Sequence, residues 1–190
     1  MAGLSTSSLV VIAVAVVVLG WGVLTYNRLV ALRQRVREGW SGIDVQLKRR
    51  ANLVPNLVST VKGYAQHERG VLEAVTEQRA RVQAAAGATP ADRQAAENGL
   101  TAALTRLFAV AENYPDLKAD GTFVDLQQTL GELEDQIQMA RRYYNGTVRD
   151  LNTLIEAFPS NLIAGWFRFE PREYFEVEHD GDRAVPTVSF

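Results

Sequence analysis

Few residues in this chain are of the types that do covalent chemistry, and their spacing excludes most of it. There is no cysteine, so disulfides, thiol catalysis and cysteine-ligated zinc or iron–sulfur sites are out of reach. The histidines are His67 and His179. His67-Glu68 opens an H-E-x-x-H zinc pattern, but Val71 stands where the second imidazole is needed one helical turn later. Glu176-x-x-His179 is half of a di-iron bundle motif; such sites require a second copy and two more carboxylates on facing helices. The chain contains neither a G-x-x-x-x-G-K-[ST] phosphate loop nor a G-x-S-x-G nucleophile elbow. The expectation is a protein without metal, cofactor or enzymatic activity.

The remaining polar groupings point to contacts. Lys48-Arg49-Arg50 has two readings: a cationic end to a helix, favoured by the helix dipole, or a docking patch for a partner. Asp44 reads as an ion-pair partner on the same helix. Tyr64, Tyr143 and Tyr144 are candidates for a polar site between helices, which an alternative ligand-binding or enzymatic role would need; no ionisable cluster accompanies them in the sequence. A net charge of -2 and the lack of a basic face with an aromatic platform argue against nucleic acid. The acidic tail, Glu176, Glu178, Asp180 and Asp182, leads into a terminus with apolar residues at alternate positions. There Val188 and Phe190 suit addition to a partner's sheet edge or groove. Packing on the chain's own helices is the competing reading.

These groups need elements to hold them. Residues 4–26 lack any charged side chain and are long enough for the about 20 residues that cross a bilayer. Trp21 and Tyr26 stand at the end of the run, where aromatic rings favour the headgroup layer, followed by Arg28. A cleaved signal peptide would have basic residues before the run and a shorter apolar core, so a retained anchor is expected. Arg28, Arg33, Arg35 and Arg37 follow the span and no lysine or arginine precedes it. The positive-inside rule therefore places the N-terminus outside and the rest in the cytoplasm.

Beyond the anchor, apolar residues recur at steps of three and four, the spacing of one helical face. Leu29, Leu32, Val36, Trp40, Ile43 and Leu47 mark a first helix. Asn52 and Pro55 suggest a reversal near Ala51, with a cap and a first-turn proline; a kink at Pro55 is the alternative. A second helix then runs to about Ala86. Thr89 caps a third that Pro115 stops, and a fourth carries Phe123, Leu126, Leu130, Leu133, Ile137, Tyr144, Leu151, Ile155 and Phe158. The expected fold is all-α: an N-terminal transmembrane helix, then an antiparallel up-and-down four-helix bundle over residues 27–158, with an irregular tail over 159–190. That order returns residues 158–175, the densest aromatic stretch, towards the membrane. Trp166, Phe167 and Phe169 with Arg168 form either an interfacial foot or a cap on the bundle's end.

The chain resembles the LemA family over nearly its whole length. The resemblance is carried by Tyr26-Asn27-Arg28-Leu29-Val30, by Trp40-Ser41-Gly42-Ile43-Asp44-Val45-Gln46-Leu47, by Pro55-Asn56-Leu57-Val58, by Tyr114-Pro115-Asp116-Leu117-Lys118-Ala119, and by Phe158-Pro159-Ser160-Asn161-Leu162-Ile163-Ala164-Gly165. Gly39 and Gly42 stand where many relatives have better helix formers. The resemblance implies a single-pass bacterial membrane protein with a four-helix bundle in the cytoplasm and no established enzymatic activity. The expected role is a scaffold or adaptor of the cell envelope. Its expected partners are the lipid bilayer, further copies of itself and, by family association, a membrane protease.

Overall fold

The computed structural model describes residues 6–175. Among the described residues every regular element is helical: α1 (Thr6–Tyr64), α2 (Arg69–Ala84), α3 (Pro90–Ala111), α4 (Pro115–Lys118), α5 (Gly121–Glu156) and α6 (Ser160–Trp166). The outer limit of the expected span at Leu4, the Glu176/His179 half-motif, and the docking candidates Val188 and Phe190 lie outside the described residues.

The expected reversal at Ala51 does not occur. α1 runs unbroken through Pro55 to Tyr64, and the chain turns at residues 65–68 instead. Proline lacks the N–H that would bond to the carbonyl four residues back, which costs an interior helix about 3 kcal/mol or more. Here that carbonyl belongs to Ala51. It accepts a hydrogen bond at 2.9 Å from Nε of Arg79 on α2. A side chain from the next helix thus fills the vacancy that Pro55 creates, and the helix continues.

Other expected boundaries are found close to their places. The Thr89 hydroxyl accepts the Asp92 N–H, and Pro90 occupies the first turn of α3. Gly87 takes a positive φ of 85° in the preceding turn, a conformation that costs glycine little. Asp120 caps α5: its carboxylate accepts the Phe123 N–H at 2.9 Å and the Tyr64 hydroxyl at 2.8 Å. These two bonds, the Phe123 N–H first, hold the Asp120 carboxyl below its ordinary pKa, and the same carboxylate raises that of Tyr64.

The chain divides into two units. One comprises Gly42–Arg141 with Glu173–Phe190. Its core takes Val54, Leu57 and Val61 from α1, Leu72 and Val75 from α2, Leu100, Leu104 and Leu107 from α3, Leu117 from α4, and Phe123 and Leu130 from α5. No helix there hides its stripe alone; each stripe is covered by the others. The second unit comprises Met1–Ser41 with Arg142–Arg172. Leu29, Leu32 and Val36 on α1 are buried in it, as are Tyr144, Val148 and Leu151 on α5. Trp40 and Tyr144 meet ring to ring with centroids 5.5 Å apart. Gly39 favours this approach, because a Cβ there would stand 3.2 Å from the Cα of Tyr144, a tight contact.

The Arg79–Ala51 bond makes a measurable prediction. Arg79→Leu should lower unfolding stability by about 1.5–3 kcal/mol, the range for a hydrogen bond with a charged partner. In a Pro55→Ala background, which restores the internal N–H donor, the same substitution should cost clearly less. Chemical denaturation of the four variants of the full chain in detergent measures this coupling; strict additivity would contradict it.

Candidate functional site

The chemistry-bearing residues that the fold brings together are not those that stood out in the sequence. In the unit built around Gly42–Arg141, Arg50, Arg93 and Glu97 are 4 %, 3 % and 5 % exposed. Each continues the apolar stripe of its own helix. On α1 the series is Ile43, Leu47, Arg50, Val54, Leu57, Val61; on α3 it is Arg93, Glu97, Leu100, Leu104, Leu107, Ala111. The steps alternate between three and four throughout, so all three charges occupy core positions.

They are tied to each other. Arg50 donates from Nη2 to Glu97 at 2.6 Å, and from Nη1 to Glu134 at 2.9 Å and to the Thr101 hydroxyl at 3.2 Å. Arg93 donates from Nη1 to the Val82 carbonyl at 2.8 Å, and its Nη2 lies 3.6 Å from Asp44. Asp44 in turn pairs with Lys48 at 2.6 Å, as its place on the helix suggested. Arg93 Nε lies 3.2 Å from the second oxygen of Glu97, but neither atom, nor Arg50 Nε, completes a hydrogen bond. Burial pushes the Glu97 carboxyl above its ordinary pKa; Arg50, and then Arg93, pull against that shift without cancelling it.

The Lys48-Arg49-Arg50 cluster is therefore not one patch. Arg50 is buried in the network and offers no docking surface, while Lys48 and Arg49 are exposed. It is not a helix end either, since α1 continues to Tyr64. A groove of about 1070 Å³ opens over the network. Arg50, Glu97, Thr101 and Glu134 lie along it among Leu104, Phe108, Leu130 and Ile137, with Phe175 at one side. Of the tyrosine candidates, Tyr64 binds Asp120, Tyr143 is exposed and Tyr144 is buried against Trp40; none lines the groove. Among the described residues no group of histidine, aspartate and glutamate side chains is arranged to hold a metal.

The interface candidates fall in the other unit. Leu9–Leu24 stands exposed along α1, with 6 % of the apolar window buried. Thr25 is buried and Tyr26 half-buried, while Trp21 and Arg28 are exposed. Tyr26 contacts Phe167 and Phe169, with ring centroids 4.6 and 5.9 Å away. Trp166, Phe167 and Arg168 are exposed. Phe169, expected beside them, is instead buried, with the Arg33 guanidinium 5.0 Å from its ring centre. Phe158, placed on the apolar stripe of the last helix, is exposed, because α5 ends at Glu156.

The LemA family model matches residues 39–190. The chain belongs to the LemA family. The match takes in the whole Arg50–Glu97–Arg93–Glu134 network and both walls of the groove, and starts after the apolar stretch. Its relatives include magnetosome proteins. MamQ 2 of Paramagnetospirillum magneticum is 27% identical, covering 86% of this chain and 69% of the relative; MamQ of Magnetospirillum gryphiswaldense is 25% identical over the same shares. Protein LemA of Metamycoplasma hominis is 25% identical over 73% of this chain and 63% of its own length.

A buried Arg–Glu–Arg group of this kind has a characteristic energetic signature. Glu97→Ala should cost about 3–5 kcal/mol, since it leaves two guanidinium groups buried without their shared partner. Replacing Arg50, Arg93 and Glu97 together by methionine and leucine residues should recover most of that loss. Because the Glu97 pKa is raised in the folded state, its contribution is complete below the ordinary carboxylate pKa and declines as pH rises through the raised value. Denaturation against pH should show this decline in the natural chain and not in Glu97→Gln. A triple variant as unstable as Glu97→Ala would contradict the assignment.

Proposed function

We propose that this LemA-family protein is a membrane-anchored, non-enzymatic scaffold or adaptor of the cell envelope, which assembles at the bilayer and holds or regulates other membrane proteins. The observation that carries the reading is α1 itself. Its first part is an apolar stretch displayed to the surroundings, and the same helix runs on without interruption into residues that build a core. Such a stretch in water would be an aggregation liability; in a bilayer it is a span. The kinship with LemA and MamQ proteins supports membrane association. The asymmetry of Arg28, Arg33, Arg35 and Arg37 supports a cytoplasmic location for the residues beyond the span. The four long helices, α1, α2, α3 and α5, joined by short links, support an up-and-down bundle. Self-association and the recruitment of a membrane protease are the narrower forms of the proposal.

One observation favours a second reading, a ligand-binding bundle: the groove above Arg50, with Glu97 and Glu134 along it. Arg50 there is already paired with both carboxylates, so a ligand that binds it would have to displace Glu134 or Glu97. That cost favours the scaffold.

Crosslinking of the full chain in native membranes, followed by mass spectrometric identification of the adducts, tests the proposal. Discrete adducts with integral membrane proteins, a second copy of the chain among them, are expected. A chain that forms no discrete adduct and runs as a monomer by native mass in mild detergent would contradict it. Protease added outside intact cells should leave residues beyond the span intact; their digestion would reverse the orientation.

A further inference from the structure

Three large apolar side chains follow the end of α5 and stay uncovered: Phe158, Leu162 and Trp166 are 81 %, 61 % and 83 % exposed. They recur every fourth residue. Leu162 and Trp166 form one face of α6, while Ser160 and Ala164, also four apart, form the buried face. α6 is thus amphipathic in reverse, with its small residues packed inward and its large ones outward.

Its position explains why. Ile163 Cδ1 lies 3.6 Å from where a Cβ on Gly22 would stand, so α6 rests beside the last turn of the apolar stretch on α1. Phe167 meets Tyr26 with its ring tilted by 53°. The segment is fastened beyond α6 as well. The Asn152 amide donates to the Arg172 carbonyl and accepts the Arg172 N–H, both at 2.8 Å, and buried Phe169 sits under Arg33. The exposed face is therefore held in place rather than loosely attached. Close by, Arg28, Arg35 and Arg149 line a hollow together with Asp150, and Arg168, Glu156 and Glu170 are exposed.

We infer that α6 is a second membrane contact: Phe158, Leu162 and Trp166 enter the headgroup–acyl boundary of the same bilayer that α1 crosses, beside the point where α1 leaves it. The inference rests on the anchor reading above. Continuity selects lipid as the occupant, because the uncovered face flanks residues that are themselves displayed to lipid. Arg28, Arg35 and Arg168, exposed in the same unit, suit anionic headgroups.

The chain has no cysteine, so a single introduced cysteine can carry an environment-sensitive fluorophore in the full-length protein. Leu162→Cys, Val17→Cys and Asp135→Cys, each labelled and reconstituted into vesicles containing anionic lipid, report on α6, the span and the helical core unit in turn. The label at 162 should lose most of its emission to lipids with a doxyl group near the headgroup and be spared by aqueous iodide. The label at 17 should respond only to lipid-borne quencher, and the label at 135 only to iodide. If 162 behaves like 135 while 17 is shielded, the α6 contact is overturned and the anchor stands. If 17 is open to iodide, both fall. A label at 162 protected from both quenchers would mean that protein, such as a second copy, covers the face, and that would also overturn the inference.

Discussion

The carbonyl of Ala51 sets a constraint from which much of the core unit follows. Pro55 cannot bond to it, and a buried carbonyl without a donor costs of the order of 1–3 kcal/mol. One solution is to end the helix before the proline. This chain takes the other, and supplies the donor from Arg79 on α2. The bond settles two things together. It keeps α1 helical to Tyr64, and it fixes the face that α1 presents to α2.

Once α1 continues, Arg50 has nowhere to go but inward. It stands between Leu47 and Val54 on a stripe whose other members are buried, so its charge must be met inside the core. Glu97 meets it from α3, Glu134 from α5, and Arg93 shares Glu97 from one turn earlier on α3. Such a group is a poor source of stability, because removing three charged groups from water costs about as much as their attraction returns. The raised Glu97 pKa reflects that balance. The group also couples the helices: a one-turn slip of α3 against α1 would part Arg50 from Glu97 and leave it Glu134 alone. A purely apolar seam would tolerate the slip at much lower cost. Charges that face one another across helices in this way accord with the scaffold proposed above.

The helical class, the apolar N-terminal stretch, the Thr89 cap and most of the buried apolar stripes were legible because they depend on neighbours within a turn or two. The turn at residues 65–68 was not. The local signals at Asn52 and Pro55 are those of a helix start, and only a donor 28 residues away from Ala51 overrules them. That error hid the network as well. With a reversal at Ala51, Arg50 reads as the cationic end of a helix; with the helix unbroken, the 3–4 series through Leu47, Arg50 and Val54 shows a charge at a core position. Arg93 and Glu97 were open to the same test, since they extend the series of Leu100, Leu104 and Leu107. Phe169 and Phe158 were misplaced for a different reason. Composition marks an aromatic stretch, but which ring turns inward depends on where α5 ends and on Tyr26 and Arg33, far away in sequence.

The two ends of the aromatic segment make opposite demands. Phe169 is covered by Tyr26 and Arg33 and behaves as core, whereas Trp166, three residues earlier, is almost wholly uncovered. Had the segment served only to cap the helices, burying Trp166 would have been the largest available gain, since an aromatic ring contributes more buried area than any other side chain there. Ala164 and Ser160 take the inward positions instead, which brings α6 close to Gly22 at the expense of buried area. The proposed lipid contact gives that arrangement a reason, since it offers the outward rings an apolar environment outside the chain. A bilayer at the end of α1's apolar stretch, as proposed above, would provide one without a further protein, and its headgroup layer would accommodate the indole N–H.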